Sequence, residues 1–262
     1  MPELPDLQVF AKNLMKRIGH RPIRHVEVSN TKRVNLSADE INEIWTGEEV
    51  TDIIRIGKEL YFYSNSGQVF SVHLMLNGTF SIFEKDKAKE TPYKVISFEF
   101  DENTVLVIAD YQGLCKVTFD PLISEVPDAL GNSFSYSYFS EAVRKNCRKN
   151  VKAFLINQDI VKGIGNAYAD EILWNAGISP ESTVGKIPIE CLMKLYNSIR
   201  DVLTEAIAKI EELKPDILSG EERSFLQVHN PNRKKTDDGA TIVVKKIASK
   251  TTYYTERQQL FK

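Results

Sequence analysis

The spacing of apolar residues changes at one point in this chain, and that change limits the folds open to it. Between about residues 24 and 120, short alternating runs are separated by turn sequences such as NSG at 65–67 and NG at 77–78. This alternation indicates half-buried strands. After residues 121–137, which are rich in Pro, Gly and Ser, apolar residues recur at helical spacing. The sequence therefore predicts a mainly β first half, a linker and a mainly helical second half.

The individual elements follow from these two periods. An amphipathic helix over residues 7–18 opens the chain, and Asp6 is in position to cap it. Strand-like runs suited to a sandwich or barrel follow at 23–28, 50–56, 60–63, 69–74, 80–83, 96–100, 105–109 and 114–119. Further helices are predicted at 138–147, 150–157, 166–176 and 188–212, and a terminal β-hairpin at 241–247 and 251–257. The fold class is α+β: an antiparallel β-sandwich over 1–125 with one N-terminal helix, a helical domain over 126–228 and a hairpin over 229–262.

Composition excludes several classes of protein. The 262 residues are 42% hydrophobic and 27% charged, as in an ordinary globular chain rather than a disordered one. The three cysteines form no C-x-x-C pair, and no apolar run approaches the ~20 residues that span a bilayer. We therefore expect no disulfide scaffold and no membrane partner. The first residues carry Glu3 and Asp6 rather than the basic residues of a secretory leader, so we expect a cytoplasmic protein.

Charge is unevenly distributed along the chain. Residues 1–140 hold 14 Lys and Arg against 20 Asp and Glu, whereas residues 141–262 hold 20 against 16. Basic residues are densest in 144–152 and 233–250. Such a surplus favours binding of a polyanion, because phosphate neutralisation supplies most sequence-independent affinity for nucleic acid. A solvated helix or hairpin face is the alternative interpretation.

A glycine-rich turn precedes the predicted helix at 166–176. Gly163 and Gly165 permit a sharp turn, and Asn166 is placed to cap a helix whose free N–H groups can bind a phosphate. A glycine-rich turn that only allows close helix packing is the alternative.

The chain start carries a second chemical possibility. Removal of Met1, which a small second residue permits, makes Pro2 a terminal secondary amine. Such an amine can attack a sugar carbon and form an iminium, which acts as an electron sink, and Glu3 beside it could shuttle protons. The alternative is that Pro2 merely marks where the chain begins.

These segments occur together and in order, and in this they resemble a known family. The blocks are PELPD from Pro2, RIGK ending at Lys58, HL from His73 followed by the NG turn, and Asn157-Gln158 through GIGNAYADEILWNAGISP to Pro180. Together they resemble the formamidopyrimidine-DNA glycosylase / endonuclease VIII family. The resemblance covers most of the chain, although in the first half it is confined to short blocks.

The resemblance implies a monomeric base excision repair enzyme that acts on double-stranded DNA containing damaged bases or abasic sites. Such an enzyme excises an oxidised base and cleaves the strand by β,δ-elimination; in a bacterium it would be associated with the nucleoid. Pro2 matches the nucleophile, Glu3 the proton-transfer carboxylate, and Lys58 a lysine that contacts DNA and assists base release. The target nucleotide would be flipped out of the stack, because its sugar carbon cannot be attacked within a duplex.

The resemblance also implies a helix-two-turn-helix DNA-binding motif. Asn166 matches its phosphate-binding asparagine, and Gly163 and Gly165 form the turn before it. Lys152 matches a basic position at the start of the preceding helix. The resemblance therefore implies that these four residues contact the DNA.

One departure from the family concerns its four-cysteine zinc finger. The four thiolate positions are Lys235, Asp238, Thr255 and Gln258 here, so we expect no zinc and no other cofactor. The alternation nevertheless predicts the hairpin, as in the zincless fingers of some members. Lys250 stands where members place the arginine of the fingertip. A lysine keeps a positive charge that can contact phosphate but lacks the bidentate fork of an arginine.

A second departure concerns the residues that fill the gap left by a flipped base. Members usually carry DPRRFG, but residues 110–115 read DYQGLC, with Gly113 at the position of an arginine and Leu114 at that of a phenylalanine wedge. Leu76 aligns with a methionine. Apolar wedges remain possible, but we expect little selectivity for the opposite base. A lyase-only or catalytically silent relative is therefore the alternative function. A binding module without chemistry is disfavoured by the joint presence of Pro2, Glu3 and Lys58.

Overall fold

A computed structural model describes residues 1–101 and 103–262. The chain divides into two compact units, one made of 1–124 with 210–221 and the other of 125–209 with 222–262. The division at 124 lies next to the linker that the sequence predicts. The return of 210–221 to the first unit was not predicted. No helix in the described part of the chain is both long and apolar enough to cross a membrane.

The first unit contains two four-stranded antiparallel sheets. Its strands are β1 (His25–Val28), β2 (Val50–Ile56), β3 (Glu59–Ser64), β4 (Val69–His73), β5 (Thr79–Phe83), β6 (Lys94–Asp101), β7 (Thr104–Ala109) and β8 (Lys116–Phe119). One sheet has the order β1-β6-β7-β5 and the other β2-β3-β4-β8. Its helices are α1 (Leu4–Ile18), α2 (Ala38–Trp45) and α3 (Lys85–Lys89).

Stacked phenylalanines join the two sheets into a sandwich. The ring of Phe70 on β4 stacks on Phe62 of β3 at 4.4 Å and on Phe98 of β6, in the other sheet, at 4.8 Å between centroids. All three side chains are buried, and Trp45 packs edge-on against Phe70 at 4.9 Å. Aromatic rings of this size supply much of the free energy of burial. The predicted β-sandwich is confirmed.

Two details of the prediction were wrong. Helix α1 begins at Leu4 with Glu3 as its N-cap residue; Asp6 is not the cap but accepts the Glu3 backbone N–H at 2.9 Å in a capping box. The predicted N-terminal helix is present, but α2 and α3, which also lie in the described part of this unit, were not predicted. Helix α2 carried a readable signal, because Ser37 and Glu40 form the S-x-x-E capping box that marks a helix start.

The second unit contains the remaining helices and the hairpin. These are α4 (Tyr136–Lys145), α5 (Val151–Leu155), α6 (Asn166–Ala176), α7 (Ile189–Leu213), β9 (Ile242–Ile247) and β10 (Lys250–Thr255), of which α7 continues into the first unit at residue 210. Helix α6 has the predicted bounds and is followed by Gly177 as its C-cap residue, with a φ of +73° that few other residues adopt. The predicted hairpin is confirmed. It belongs to the second unit instead of forming a third, and Gln259 beyond it pairs with Ile178.

Candidate nucleic-acid interface

The chain start leads directly into helix α1. Pro2 and Glu3 are both buried, whereas Met1 is exposed. The amine of Met1 forms an ion pair with the carboxylate of Glu221. As N-cap residue of α1, Glu3 is held by the capping box with Asp6. A carboxylate is thereby fixed one residue from Pro2.

The turn between β2 and β3 carries Lys58. Gly57 adopts a φ of +64°, a conformation that favours glycine, and Lys58 follows it half-buried. The buried guanidinium of Arg55 donates to Gln8 Oε1 on α1 at 2.9 Å and to the Gly57 carbonyl at 3.4 Å. Arg55 therefore holds the turn of Lys58 against the helix that begins after Pro2. Sequence reasoning did not assign this role to Arg55.

His73 ends strand β4 within the electrostatic influence of Lys58. Its Nδ1 accepts the Met75 backbone N–H at 3.0 Å. Burial lowers the pKa of His73; Glu59 acts in the opposite sense, and the charges of Lys58 and Lys116 lower the pKa further. Since Nδ1 is the acceptor, Nε2 of the neutral ring carries the proton and can donate to an anion.

The loops predicted to fill a vacated base position differ in how far their side chains are exposed. Leu76 is 51% exposed, in the connection between β4 and β5. Gly113 adopts a φ of +61°, and Leu114 is only half-buried. Both loops lie in the first unit, as does the chain start.

In the second unit, the side chain of Gln158 spans the turn between α5 and α6. Its Nε2 donates to the carbonyls of Ile156 and Ile164, each at 2.9 Å, and its Oε1 accepts the Gly163 N–H at 3.0 Å. With φ at +102°, Gly163 adopts a backbone conformation that favours glycine. Because its N–H is committed to Gln158, Gly163 shapes the turn and does not donate to a phosphate, which corrects the predicted direct contact.

Asn166 is the first residue of helix α6, and Gly165 rather than Asn166 is its N-cap residue. Asn166 Nδ2 donates to the Thr251 carbonyl at 3.0 Å, and its Oδ1 is buried without a hydrogen-bond partner in the described structure. Lys250, next to Thr251, is exposed at the hairpin turn. The fold thus brings together a helix N-terminus and a fingertip lysine that are far apart in sequence.

Lys152 does not lie on this surface. Its side chain has no exposed area, and its Nζ lies 2.7 Å from Asp170 Oδ1 and 2.6 Å from Thr252 Oγ1. An ammonium committed to these buried partners cannot reach a phosphate. The prediction that Lys152 contacts DNA is therefore wrong, because a basic residue in a mainly basic segment was assumed to be solvated.

Two adjacent carboxylates on α6 organise the surrounding chain, and sequence reasoning missed them. Asp170 Oδ2 contacts His229 Nδ1 at 2.7 Å and accepts the Tyr253 N–H at 3.0 Å. Glu171 accepts the backbone N–H groups of residues 227, 228 and 229 at 2.9, 2.8 and 2.7 Å. Burial raises the pKa of Glu171, and these three N–H groups oppose the increase. A pair of acids inside an otherwise apolar helix was the available signal.

Each of the four positions that carry thiolates in zinc-finger members has a hydrogen-bond or ion-pair partner here, and two of them, Thr255 and Gln258, are bonded to each other. Gln258 Oε1 accepts the Thr255 N–H at 2.8 Å, and Gln258 Nε2 donates to the Ile178 carbonyl at 2.8 Å. Asp238 pairs with Arg257 at 2.9 Å, and Lys235 pairs with Thr241 in the backbone. Across residues 1–101 and 103–262, no three His, Cys, Asp or Glu side chains are grouped so that they could hold a metal.

Comparison with known proteins matches both parts of this chain. The family profile of the formamidopyrimidine-DNA glycosylase N-terminal domain matches residues 1–117, and that of the formamidopyrimidine-DNA glycosylase H2TH domain matches 126–214. The formamidopyrimidine-DNA glycosylase of Carboxydothermus hydrogenoformans is 31% identical over 210 residues, which cover 79% of this chain and 78% of that protein. The one from Mycoplasma genitalium is 28% identical over 282 residues and covers 97% and 94%.

Solved structures of similar proteins contain DNA. The chain matches Lactococcus lactis Fpg in complex with DNA containing an abasic site, with a TM-score of 0.86 and 26% identity over 98% of this chain and 100% of that one. It matches the same protein bound to DNA containing an oxidised pyrimidine with a TM-score of 0.86 and 27% identity, again over 98% and 100%.

A β-sandwich that begins with Pro-Glu, together with a helix-two-turn-helix unit that ends in a hairpin, defines a class of DNA glycosylases. Both profile matches and the relatives agree with that class. The chain belongs to the formamidopyrimidine-DNA glycosylase family.

Proposed function

We propose that this protein excises oxidised bases from double-stranded DNA and then cleaves the strand at the abasic site, with the amine of Pro2 as nucleophile. The observation that carries the proposal is the Arg55–Gln8 hydrogen bond. It holds the turn of Lys58 against α1, the helix that begins directly after Pro2 and Glu3. A nucleophile, a carboxylate and a cation are thereby gathered in one region of the first unit.

The chemistry follows from the properties of a secondary amine. Its lone pair attacks C1′ of the deoxyribose, and the glycosidic bond breaks with its electron pair going to the base. Once O4′ takes up a proton and the ring opens, C1′ and the nitrogen form an iminium. Loss of a C2′ proton sends electrons into the iminium and expels the 3′ phosphate, and a second elimination releases the 5′ phosphate. In this proposal Glu3 moves these protons and Lys58 stabilises the departing anions.

This chemistry requires that Met1 be removed. With Met1 attached, the Pro2 nitrogen is an amide without a free lone pair, and the terminal amine pairs with Glu221. Removal of Met1 frees the nitrogen of Pro2 and takes away the residue bonded to it. The intact mass of the purified protein tests this step directly.

The second unit supplies phosphate binding in this proposal. The exposed Lys250 and the α6 N-terminus lie on either side of the Asn166–Thr251 hydrogen bond. Backbone N–H groups at a helix start and a lysine point charge both suit a phosphate and carry no sequence preference. We infer that this surface fixes the position of the duplex, and that the protein acts as a monomer.

We also propose that the hairpin keeps its position without zinc. The support is the pair of hydrogen bonds from Gln258, which join Thr255 to Ile178 where members use thiolates. Elemental analysis of the purified protein is expected to find no stoichiometric zinc, and a chelator is expected to leave DNA binding unchanged. Loss of binding on chelation, restored by added zinc, would contradict this.

Borohydride reduction tests the nucleophile, because it converts an iminium into a stable covalent bond. The wild type is expected to be trapped on a duplex that contains an abasic site, with the added mass on the peptide that begins at Pro2. Pro2→Leu retains Met1, because a large second residue blocks its removal, and is expected to form no adduct. Lys12→Ala, which removes an exposed amine from the same helix, serves as the control and is expected to be trapped normally.

Two results would overturn the proposed nucleophile. One is an adduct that persists in Pro2→Leu on a lysine peptide, and the other is a wild type that binds the abasic duplex yet is never trapped. A lyase-only activity is the second candidate function, favoured by Gly113 at the position of an opposite-base arginine. Duplexes that carry oxidised purines or pyrimidines separate the two, because a lyase-only protein is trapped on abasic sites but not on damaged bases.

A further inference from the structure

Three large apolar side chains are exposed at one end of the β-sandwich. Leu76 is 51% exposed, Tyr93 66% and Tyr111 62%. We refer to these three residues, two tyrosines and one leucine, as the aromatic edge. Single exposed apolar residues are ordinary, but a group of them at one place marks a binding surface.

Strand register shows why these residues lie together. Ala109 pairs with Thr79 on one side and with Lys94 on the other, so the chain before β5, the chain before β6 and the chain after β7 meet at one sheet end. The Asp110 N–H donates to the Tyr93 carbonyl at 3.0 Å. Strand β4 pairs with β8 and β5 with β7, and therefore the two connections that carry Leu76 and Tyr111 run side by side between the sheets.

The loop of Tyr111 is built to be rigid. The buried carboxylate of Asp110 accepts the N–H groups of Gln112, Leu114 and Cys115 at 3.0, 2.6 and 2.8 Å. The Gly113 N–H closes the turn onto the Asp110 carbonyl at 3.0 Å. This turn leaves Tyr111 in solvent, whereas Leu114, which aligns with the phenylalanine wedge of the family, is half-buried. A ring held outward by a fixed backbone loses little conformational entropy when it stacks on a partner.

Two lysines and one carboxylate lie near the aromatic edge. Lys116 is exposed and pairs with His73 in the register of β4 with β8, and His73 is the residue at which the connection that carries Leu76 begins. The charge of Lys58 also acts on His73, together with the opposite charge of Glu59. Rigid aromatic tips beside lysines match nucleic acid, in which planar bases lie next to phosphates. An apolar protein surface would offer no anionic group to pair with these lysines.

We propose that Tyr111, with Leu76 beside it, stacks in the space that the extruded nucleotide leaves in the duplex. The inference rests on the proposed function and extends it to a specificity-determining residue. Because every base offers a flat face, stacking by Tyr111 does not discriminate among the four opposite bases. The protein therefore recognises the vacancy and not the base across from it.

The test uses a duplex with a tetrahydrofuran abasic analogue, which cannot form an iminium, and 2-aminopurine as its neighbour. Tyr111→Ala is expected to bind this duplex about 5- to 150-fold more weakly, with a similar loss opposite each of the four bases. The change in 2-aminopurine fluorescence that accompanies wild-type binding is expected to disappear. Tyr111→Phe retains the ring and is expected to stay within about twofold of wild type. Leu122→Ala, at a residue 97% exposed outside the aromatic edge, is the matched control and is expected to bind normally.

The inference is overturned if Tyr111→Ala binds the duplex as tightly as wild type does, or if its loss of affinity is confined to one opposite base. It is also overturned if Leu114→Ala shows the expected loss of affinity while Tyr111→Ala shows none. Light scattering measures the molar mass of each variant in solution. If Tyr111→Ala differs from wild type in this mass while its DNA affinity is unchanged, the aromatic edge is a contact between copies of the chain and the inference is overturned. Urea midpoints equal to wild type show that the variants fold. Since the analogue involves no covalent step, failure of the Pro2 mechanism in the trapping assay is distinguishable from failure here.

Discussion

Lys152 Nζ lies 2.7 Å from Asp170 Oδ1, and neither side chain has any exposed area. The pair joins α5 to α6, and the partners of each residue extend it to the hairpin, since Lys152 donates to Thr252 and Asp170 accepts from Tyr253. The sequence alone would place both Lys152 and Asp170 in solvent. In the fold this pair instead holds the DNA-binding motif and the finger together. A buried ion pair is most strongly felt when one member is removed, because the other is left without its counter-charge.

Lys152→Met is therefore expected to destabilise the protein by about 3 to 5 kcal/mol in urea unfolding. Lys245→Met, which breaks the exposed pair with Glu181, is the control and is expected to leave the urea midpoint close to that of wild type. A Lys152→Met protein of normal stability with a reduced salt dependence of DNA binding would show instead that Lys152 contacts phosphate.

Lys250→Ala is expected to weaken binding to all duplex sequences alike. Loss of one phosphate contact reduces the slope of log affinity against log salt by about one. Titrations at several salt concentrations measure this slope, and Lys85→Ala, in the first unit and paired with Glu99, is the control. An unchanged slope would place Lys250 away from the DNA.

Gln258→Leu is expected to loosen the hairpin. The substitution leaves the Thr255 N–H and the Ile178 carbonyl without partners, which costs about 1 to 3 kcal/mol per unsatisfied buried group. Amide hydrogen exchange in β9 and β10 is expected to accelerate while exchange in the β-sandwich stays the same. The neighbouring exposed Gln259→Leu is the control, and equal exchange in both variants would contradict the role given to Gln258.

The histidine at the end of β4 is expected to make stability depend on pH. Burial lowers the pKa of His73 below its ordinary 6.5, so the unfolded chain takes up this proton at a higher pH than the folded chain does. Stability is therefore present above pH 6.5 and is lost as pH falls from 6.5 through the lower folded pKa. Urea unfolding between pH 8 and pH 5 is expected to show a steeper loss for wild type than for His73→Asn, which can still accept the Met75 N–H. Parallel curves would show that His73 does not titrate differently on folding.

Local patterns determined a large part of this protein. The period-two runs predicted the β-sandwich because each strand alternates between a core and another face, and the apolar repeat at 166–176 predicted α6 at its observed bounds. The Pro-Glu start and the glycine-rich turn indicated the family because each is a run of consecutive residues that can be read without knowing the fold. Even the capping box of Ser37 and Glu40 was available in the sequence.

Only the tertiary structure decided which charged and apolar residues face solvent. Lys152 and Lys250 both belong to the basic segments of the second half of the chain, yet the first is buried against Asp170 and the second is exposed. Likewise Leu114 was expected to be the wedge, whereas the turn around Asp110 leaves Tyr111 more exposed. The physical reason is that charge and hydropathy are properties of single residues, whereas burial and ion pairing depend on partners that are distant in sequence and become neighbours only when the chain folds.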